Sequence, residues 1–178
     1  ELFKRYHAKV SYNPVANMIL GSGVAPIPEL ARVGIQMGLG TDGAASNDSQ
    51  SIIEVMKSGV LLQKVHHHDP TALSAEKVFS MATSEGAAAV SMEDQIGSLS
   101  PGKRADILAV NLDLPNTTPC YDPITSLVYS GNERNISAVF VEGRLLLEDG
   151  TFTCVDETAL IHKAQEKAHA LYKTAFAI

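Results

Sequence analysis

The sequence predicts an α/β chain: the last part of a (β/α)8 barrel, then strands of a small β-rich unit and a closing helix. Three observations carry this expectation. The apolar run Val33–Leu39 reads as a buried strand that breaks at Gly40-Thr41-Asp42-Gly43, with a helical pattern soon after. Lys9–Tyr12, the segment after it and that strand together give strand, loop, helix, strand, the pattern of a parallel sheet. Beyond residue 93 the style changes to short runs separated by turns, as antiparallel strands require. A usual barrel needs about 250 residues and eight strands. Here only two candidate barrel strands are readable, so the chain cannot be a whole barrel.

The totals narrow the classes of function. With 178 residues, 45% hydrophobic and 19% charged, the chain can bury one sizeable core. A net charge of −6 removes the electrostatic case for nucleic acid. No apolar run is long enough to span a membrane. Cys120 and Cys154 lie far apart and match no disulfide or metal framework, so they read as reduced thiols of a cytoplasmic protein. The chain opens at Glu1 inside an apparent helix, Glu1–Tyr6, and shows no secretory leader, which suggests a processed or truncated product.

The elements follow in order. Lys9–Tyr12 is a short strand, stopped at Asn13-Pro14 because the residue before proline is pushed out of the helical region. Val15–Ile27 reads as a Gly- and Pro-rich loop leading to a helix over Pro28–Val33, with Pro28 suited to the first helical position. Ser51-Ile-Ile-Glu54 fits a capping box, and Ile52, Val55, Met56, Val60, Leu61 and Val65 form the expected apolar face of the next helix. His66, His67 and His68 end it. Cations suit a helix C-terminus, and three adjacent histidines diverge, so a cap is favoured over a metal site. Ser74 caps a helix through Val78, Met81 and Ala82 that runs into the small-residue stretch Gly86–Val90.

In the second half, Ile107–Val110 is a compact strand. Val139–Val141, Glu142-Gly143 and Arg144–Leu147 read as a hairpin with a two-residue turn. Asp156 caps a last helix with the stripe Leu160, Ile161, Ala164, Ala168, Leu171 and Phe176. The expected division is 1–93 for the last strands and helices of the barrel, 94–154 for a β-sandwich segment and 155–178 for the C-terminal helix.

Chemistry concentrates on Met37–Asp48. A carboxylate at the C-terminal end of a parallel strand sits where α/β barrels gather their reactive groups. Gly40 and Gly43 let the backbone turn sharply and let a ligand approach. Ser46, Asn47 and Asp48 add hydroxyl, amide and carboxylate groups to the same rim. Two readings of Asp42 stand side by side: contact with a metal or reacting water, and capping of the following helix together with Asp48.

Val10-Ser-Tyr-Asn-Pro-Val-Ala-Asn-Met18, Gly21-Ser-Gly-Val-Ala-Pro26, Gly38-Leu-Gly-Thr-Asp-Gly43 with Ser46-Asn47, and Ile96-Gly-Ser-Leu-Ser-Pro-Gly-Lys-Arg-Ala-Asp-Ile107 resemble the amidohydrolase superfamily. The nearest branch is that of deaminases and chlorohydrolases. It includes methylthioadenosine/S-adenosylhomocysteine deaminases, 8-oxoguanine and guanine deaminases, and triazine hydrolases. The resemblance implies a metal-dependent hydrolase with a distorted (β/α)8 barrel and a small β-sandwich built from both chain ends. In that family the aspartate ending the eighth strand binds the metal and helps take a proton from the attacking water, a role that falls on Asp42. The remaining metal-binding and acid–base histidines and the glutamate of the family are absent from this sequence. Tyr12 stands where relatives often have histidine, so no catalytic histidine is placed there. Asn17 matches the family's loop asparagine and, with Ser46 and Asn47, is expected to order the rim or meet substrate, the other reading of Asn17 being a loop amide bonded to its own backbone.

A bound divalent ion, zinc or iron, brings the pKa of water towards neutrality and gives a hydroxide that attacks an aromatic carbon bearing an amine or chlorine. One carboxylate does not hold a catalytic zinc, so the chain alone is expected to be inactive. Three functions are expected in turn. The first is the C-terminal portion of an aminohydrolase acting on a purine, pterin or adenosine-like heterocycle. The second is a chlorohydrolase of triazine-like substrates on the same scaffold. The third is a non-catalytic association module, because a partial barrel exposes sheet edges and apolar faces. The partners expected are a small heterocyclic substrate, the missing N-terminal barrel half or another copy in a homo-oligomer, and neither nucleic acid nor membrane.

Overall fold

A computed structural model describes residues 2–176. Helix α1 (Leu2–Arg5) leads into strand β1 (Val10–Tyr12), followed by α2 (Pro14–Ile19), α3 (Ile27–Arg32) and strand β2 (Met37–Leu39). Then come α4 (Ile52–His67), α5 (Ala75–Ala82) and α6 (Ser84–Ala89). Strand β3 (Ile107–Val110) and helix α7 (Pro123–Ser130) precede a 3-10 turn and strands β4 (Ile136–Val141), β5 (Arg144–Glu148) and β6 (Thr151–Phe152). Helix α8 (Glu157–Phe176) closes the described chain.

β1 and β2 pair in parallel, with Ser11 opposite Gly38 and Tyr12 opposite Leu39. β3 to β6 form a four-stranded antiparallel sheet in sequence order. The predicted hairpin is β4–β5. Its turn residues Glu142 and Gly143 both have positive φ, 49° and 75°, the backbone a two-residue turn needs to match strand twist. Arg104 Nη1 donates to Glu142 Oε1 at 2.9 Å, and Asp106 accepts from the Glu142 amide at 2.8 Å, tying the turn to the approach of β3.

The core lies between the β1–β2 pair and the helices α4, α5 and α7. Ile27, Met37, Val60, Val78, Met81 and Val128 are fully buried there, each adding roughly 1.5–3 kcal/mol of hydrophobic stabilisation. Gly38 lets α6 close on β2, since a Cβ at that position would come within 3.1 Å of the Gly86 Cα.

Several expectations are corrected. The stretch read as a loop from Val15 begins with α2, because Pro14 occupies the first turn and pre-sets its φ. The strand read over Val33–Leu39 is only Met37–Leu39, because Val33 ends α3 and Gly34 turns the chain at φ +76°. The buried face of α4 is Ile53, Val55, Met56, Gly59, Val60 and Gln63, leaving Leu61 and Val65 exposed. The small-residue stretch is a separate helix: Thr83 breaks the chain at φ −127° and ψ −100° and gives its hydroxyl proton to the Phe79 carbonyl. Helix α7 was not anticipated. It is capped by Asp122 and packs on α4 and α5. The stripe on α8 covers nothing, as all its described residues are exposed.

Candidate active-site rim

β1 and β2 deliver their C-terminal ends side by side, and the Gly40 amide continues the ladder to the Tyr12 carbonyl at 3.0 Å. Beyond that bond the chains diverge, one into Asn13-Pro14 and the other into Thr41-Asp42. Ser11 donates its hydroxyl proton to Asn13 Oδ1 at 2.8 Å. A Cβ on Gly40 would fall 2.8 Å from the same Ser11 oxygen and collide with Asn13 Oδ1, so a side chain at position 40 would push the Ser11–Asn13 pair aside.

Asp42 then adopts φ +65°, a left-handed conformation that aspartate tolerates better than most residues. Its Oδ1 accepts from the Gly43 amide at 2.7 Å, and the side chain stays exposed at the rim. The cap of α4 is Ser51, whose hydroxyl accepts from the Glu54 amide at 3.2 Å. Asp42 is therefore not a helix cap.

The loop after Asp42 is held by a buried amide. Asn47, 1% exposed, donates from Nδ2 to the Thr41 carbonyl at 2.9 Å and accepts the Ser49 amide on Oδ1 at 3.1 Å. Gln50 adds a second tie, donating to the Asn47 carbonyl and accepting from the Thr41 hydroxyl, each at 3.1 Å. Ser46 is half-buried in the same loop. Asn17 lies on α2, half-buried, its carbonyl accepting from Ser22 at 2.9 Å.

Tyr12 turns away from the rim into the core. Its hydroxyl donates to the Gly59 carbonyl at 3.2 Å and accepts from Gln63 Nε2 at 3.0 Å. Burial pushes its pKa up, partly offset by the Gln63 hydrogen bond, so it stays a neutral phenol. The Tyr12–Gln63 contact escaped the sequence reading; a buried Gln on the inner face of α4 is the only trace of it.

Among the described residues no group of three or more His, Cys, Asp or Glu side chains is placed to hold a metal ion. His66, His67 and His68 close α4, with His68 left-handed at φ +52° and His67 Nε2 3.9 Å from Glu29. Cys120 and Cys154 are free and exposed.

Residues 1–146 match the amidohydrolase family. The chain belongs to that family. Over 163 residues it is 44% identical to a 5'-deoxyadenosine deaminase of Methanothermobacter thermautotrophicus, covering 92% of this chain and 38% of that protein. It is 37% identical over 174 residues to an S-triazine hydrolase of Gordonia rubripertincta, covering 96% of this chain and 36% of that one. The crystal structure of an adenosine deaminase from Xanthomonas campestris with bound zinc superposes with a TM-score of 0.89 at 30% identity, covering 93% of this chain and 38% of that chain. The chain thus spans well under half the length of these relatives. Its fold corresponds to the C-terminal part of a barrel enzyme, as the sequence predicted. Among the described residues no helix is long and apolar enough to cross a membrane.

Proposed function

We propose that this chain is part of a cytoplasmic hydrolase that deaminates an aromatic heterocycle of the purine, pterin or adenosine-like class, with Asp42 as its proton-handling group. The observation that carries the reading is the exposed, left-handed Asp42 carboxylate at the C-terminal end of β2, beside the end of β1. Water adds to the ring carbon that bears the amine. Asp42 takes the proton from the water and returns it to the leaving nitrogen; the C–O bond forms, the C–N bond breaks and ammonia departs. Asn17, Ser46 and Asn47 form the substrate-facing rim, Asn47 by holding the loop in shape.

Asp42 would be one ligand of a divalent ion, zinc or iron, that would lower the pKa of the attacking water, its other ligands being supplied by residues outside this chain. The deaminase names and the zinc of the relatives support this reading. The remaining barrel, or another copy in a homo-oligomer, completes the fold. Its support is the exposed apolar surface: Leu160, Ile161, Leu171 and Phe176 on α8, and a cavity of about 690 Å³ between α5–α6 and β3–α7. The division into barrel residues 1–93, sandwich residues 94–154 and helix 155–178 belongs to the same proposal, with α7 as the seam between the first two. The triazine hydrolase relative favours one second reading, release of chloride from a triazine.

The test is intact mass, metal content and product release for the full open reading frame. Ammonia from an aminopurine or aminopterin, with about one metal per chain, supports the reading. Chloride release from a chlorotriazine without ammonia from any heterocycle replaces it with the second, and neither product overturns both.

A further inference from the structure

Gln63 is fully buried in the C-terminal half of α4. Its Nε2 makes two hydrogen bonds, to the Tyr12 hydroxyl at 3.0 Å and to the Ala25 carbonyl at 2.9 Å, while Oε1 is buried without a partner. An unpaired buried acceptor destabilises the core, and an apolar side chain of similar volume would avoid that. What glutamine supplies is a two-way donor.

The two acceptors bracket the segment 13–24, which carries α2, Asn17 and the turn at Gly21 and Gly23, φ +62° and +90°. That segment has little packing of its own outer side: Met18, Ile19 and Leu20 are all exposed. Its inner end is held where Pro14 and Tyr12 press on Gly59, a Cβ there lying 3.0 Å from the Tyr12 ring.

We propose that Gln63 is a positioning residue that clasps both ends of segment 13–24 with one amide and so sets where Asn17 meets the substrate. This rests on the reading of Asn17 as a substrate-facing residue of a deaminase. Gln63 touches no reacting atom and acts through Tyr12 and Ala25. Loss of its amide therefore weakens substrate binding and leaves the chemical step alone.

The experiment compares wild type with Gln63→Met in the complete enzyme. Amide exchange in segment 13–24 rises about tenfold while α5 keeps its protection, and KM for the aminated heterocycle rises about tenfold with kcat within about twofold. Should Gln63→Met fail to fold, Tyr12→Phe severs one arm of the clasp, and the faster exchange is confined to the Asn13–Asn17 end. Unchanged exchange in segment 13–24, a uniform rise across the fold, or a fall in kcat at constant KM overturns the proposal. If the wild-type enzyme releases no ammonia, the deaminase reading fails, and amide exchange alone then decides whether the clasp exists.

Discussion

Asn47 and Asn135 are both almost wholly buried, and both use their amides on main-chain groups, yet their reach differs. The bonds of Asn47 stay within the loop from Thr41 to Gln50. Asn135 joins distant segments: Oδ1 accepts from the Asn132 amide at 3.0 Å and from Asn116 Nδ2 at 2.8 Å, while Nδ2 donates to the Asn111 carbonyl at 2.8 Å. The Thr117 hydroxyl is a further partner at 3.3 Å. A local knot shapes one loop and leaves its outer face open to a ligand. A long-range knot ties separate segments into one scaffold. The difference fits the proposed placing of chemistry on the Asn47 loop, with Asn135 serving stability.

The contrast breaks most visibly at Asn135. Asn135→Leu leaves the Asn111 carbonyl and the Asn132 amide without their side-chain partner and puts a larger apolar side chain in a buried position, and we expect a loss of about 3 kcal/mol in urea unfolding. Asn47→Ala opens a site at the surface, where water replaces part of what is lost. We expect about 1 kcal/mol there, together with a drop in turnover of the complete enzyme that Asn135 variants which still fold do not show.

The smallest effect concerns pH. Asp122 accepts from the Thr125 amide at 2.6 Å, and its hydrogen bonds with Thr125 hold its carboxyl below the ordinary carboxylate range. A depressed folded pKa gives stability that is present above the unfolded pKa and lost as pH falls through the folded one. Wild type therefore loses a little thermal stability below about pH 4, and Asp122→Asn, which caps without titrating, flattens that limb of the Tm profile.

The parts of this comparison were not equally legible from the chain. Gly40-Thr41-Asp42-Gly43 announced itself because an apolar run met two glycines and a carboxylate within a few residues, and a loop that bonds to itself is written locally. Ser51, Ser74 and Asp156 were readable as caps for the same reason, and each accepts the expected amide. Asn135 left no such trace, because its partners at 111, 116 and 117 come together only after folding. Gln63 was hidden likewise, its partners Tyr12 and Ala25 lying far off in the chain. The α4 face was misread at Leu61 and Val65 because counting apolar residues gives no weight to Gly59 and Gln63, the residues that let Tyr12 approach. Helix α7 carried the start signal Asp122-Pro123, but the run of short strands around it hid the helical spacing of Ile124, Leu127 and Val128.

The proposed role of Asp42 is probed most directly by the rate of ammonia release from the complete enzyme carrying Asp42→Asn. Asparagine tolerates the left-handed backbone and can still accept the Gly43 amide, so the fold and its Tm stay as they are. The expected result is a fall in kcat of about a thousandfold, the scale of a lost proton-transfer group. A variant that keeps its rate within about tenfold of wild type would contradict the role given to Asp42 and leave the rim without its reactive carboxylate.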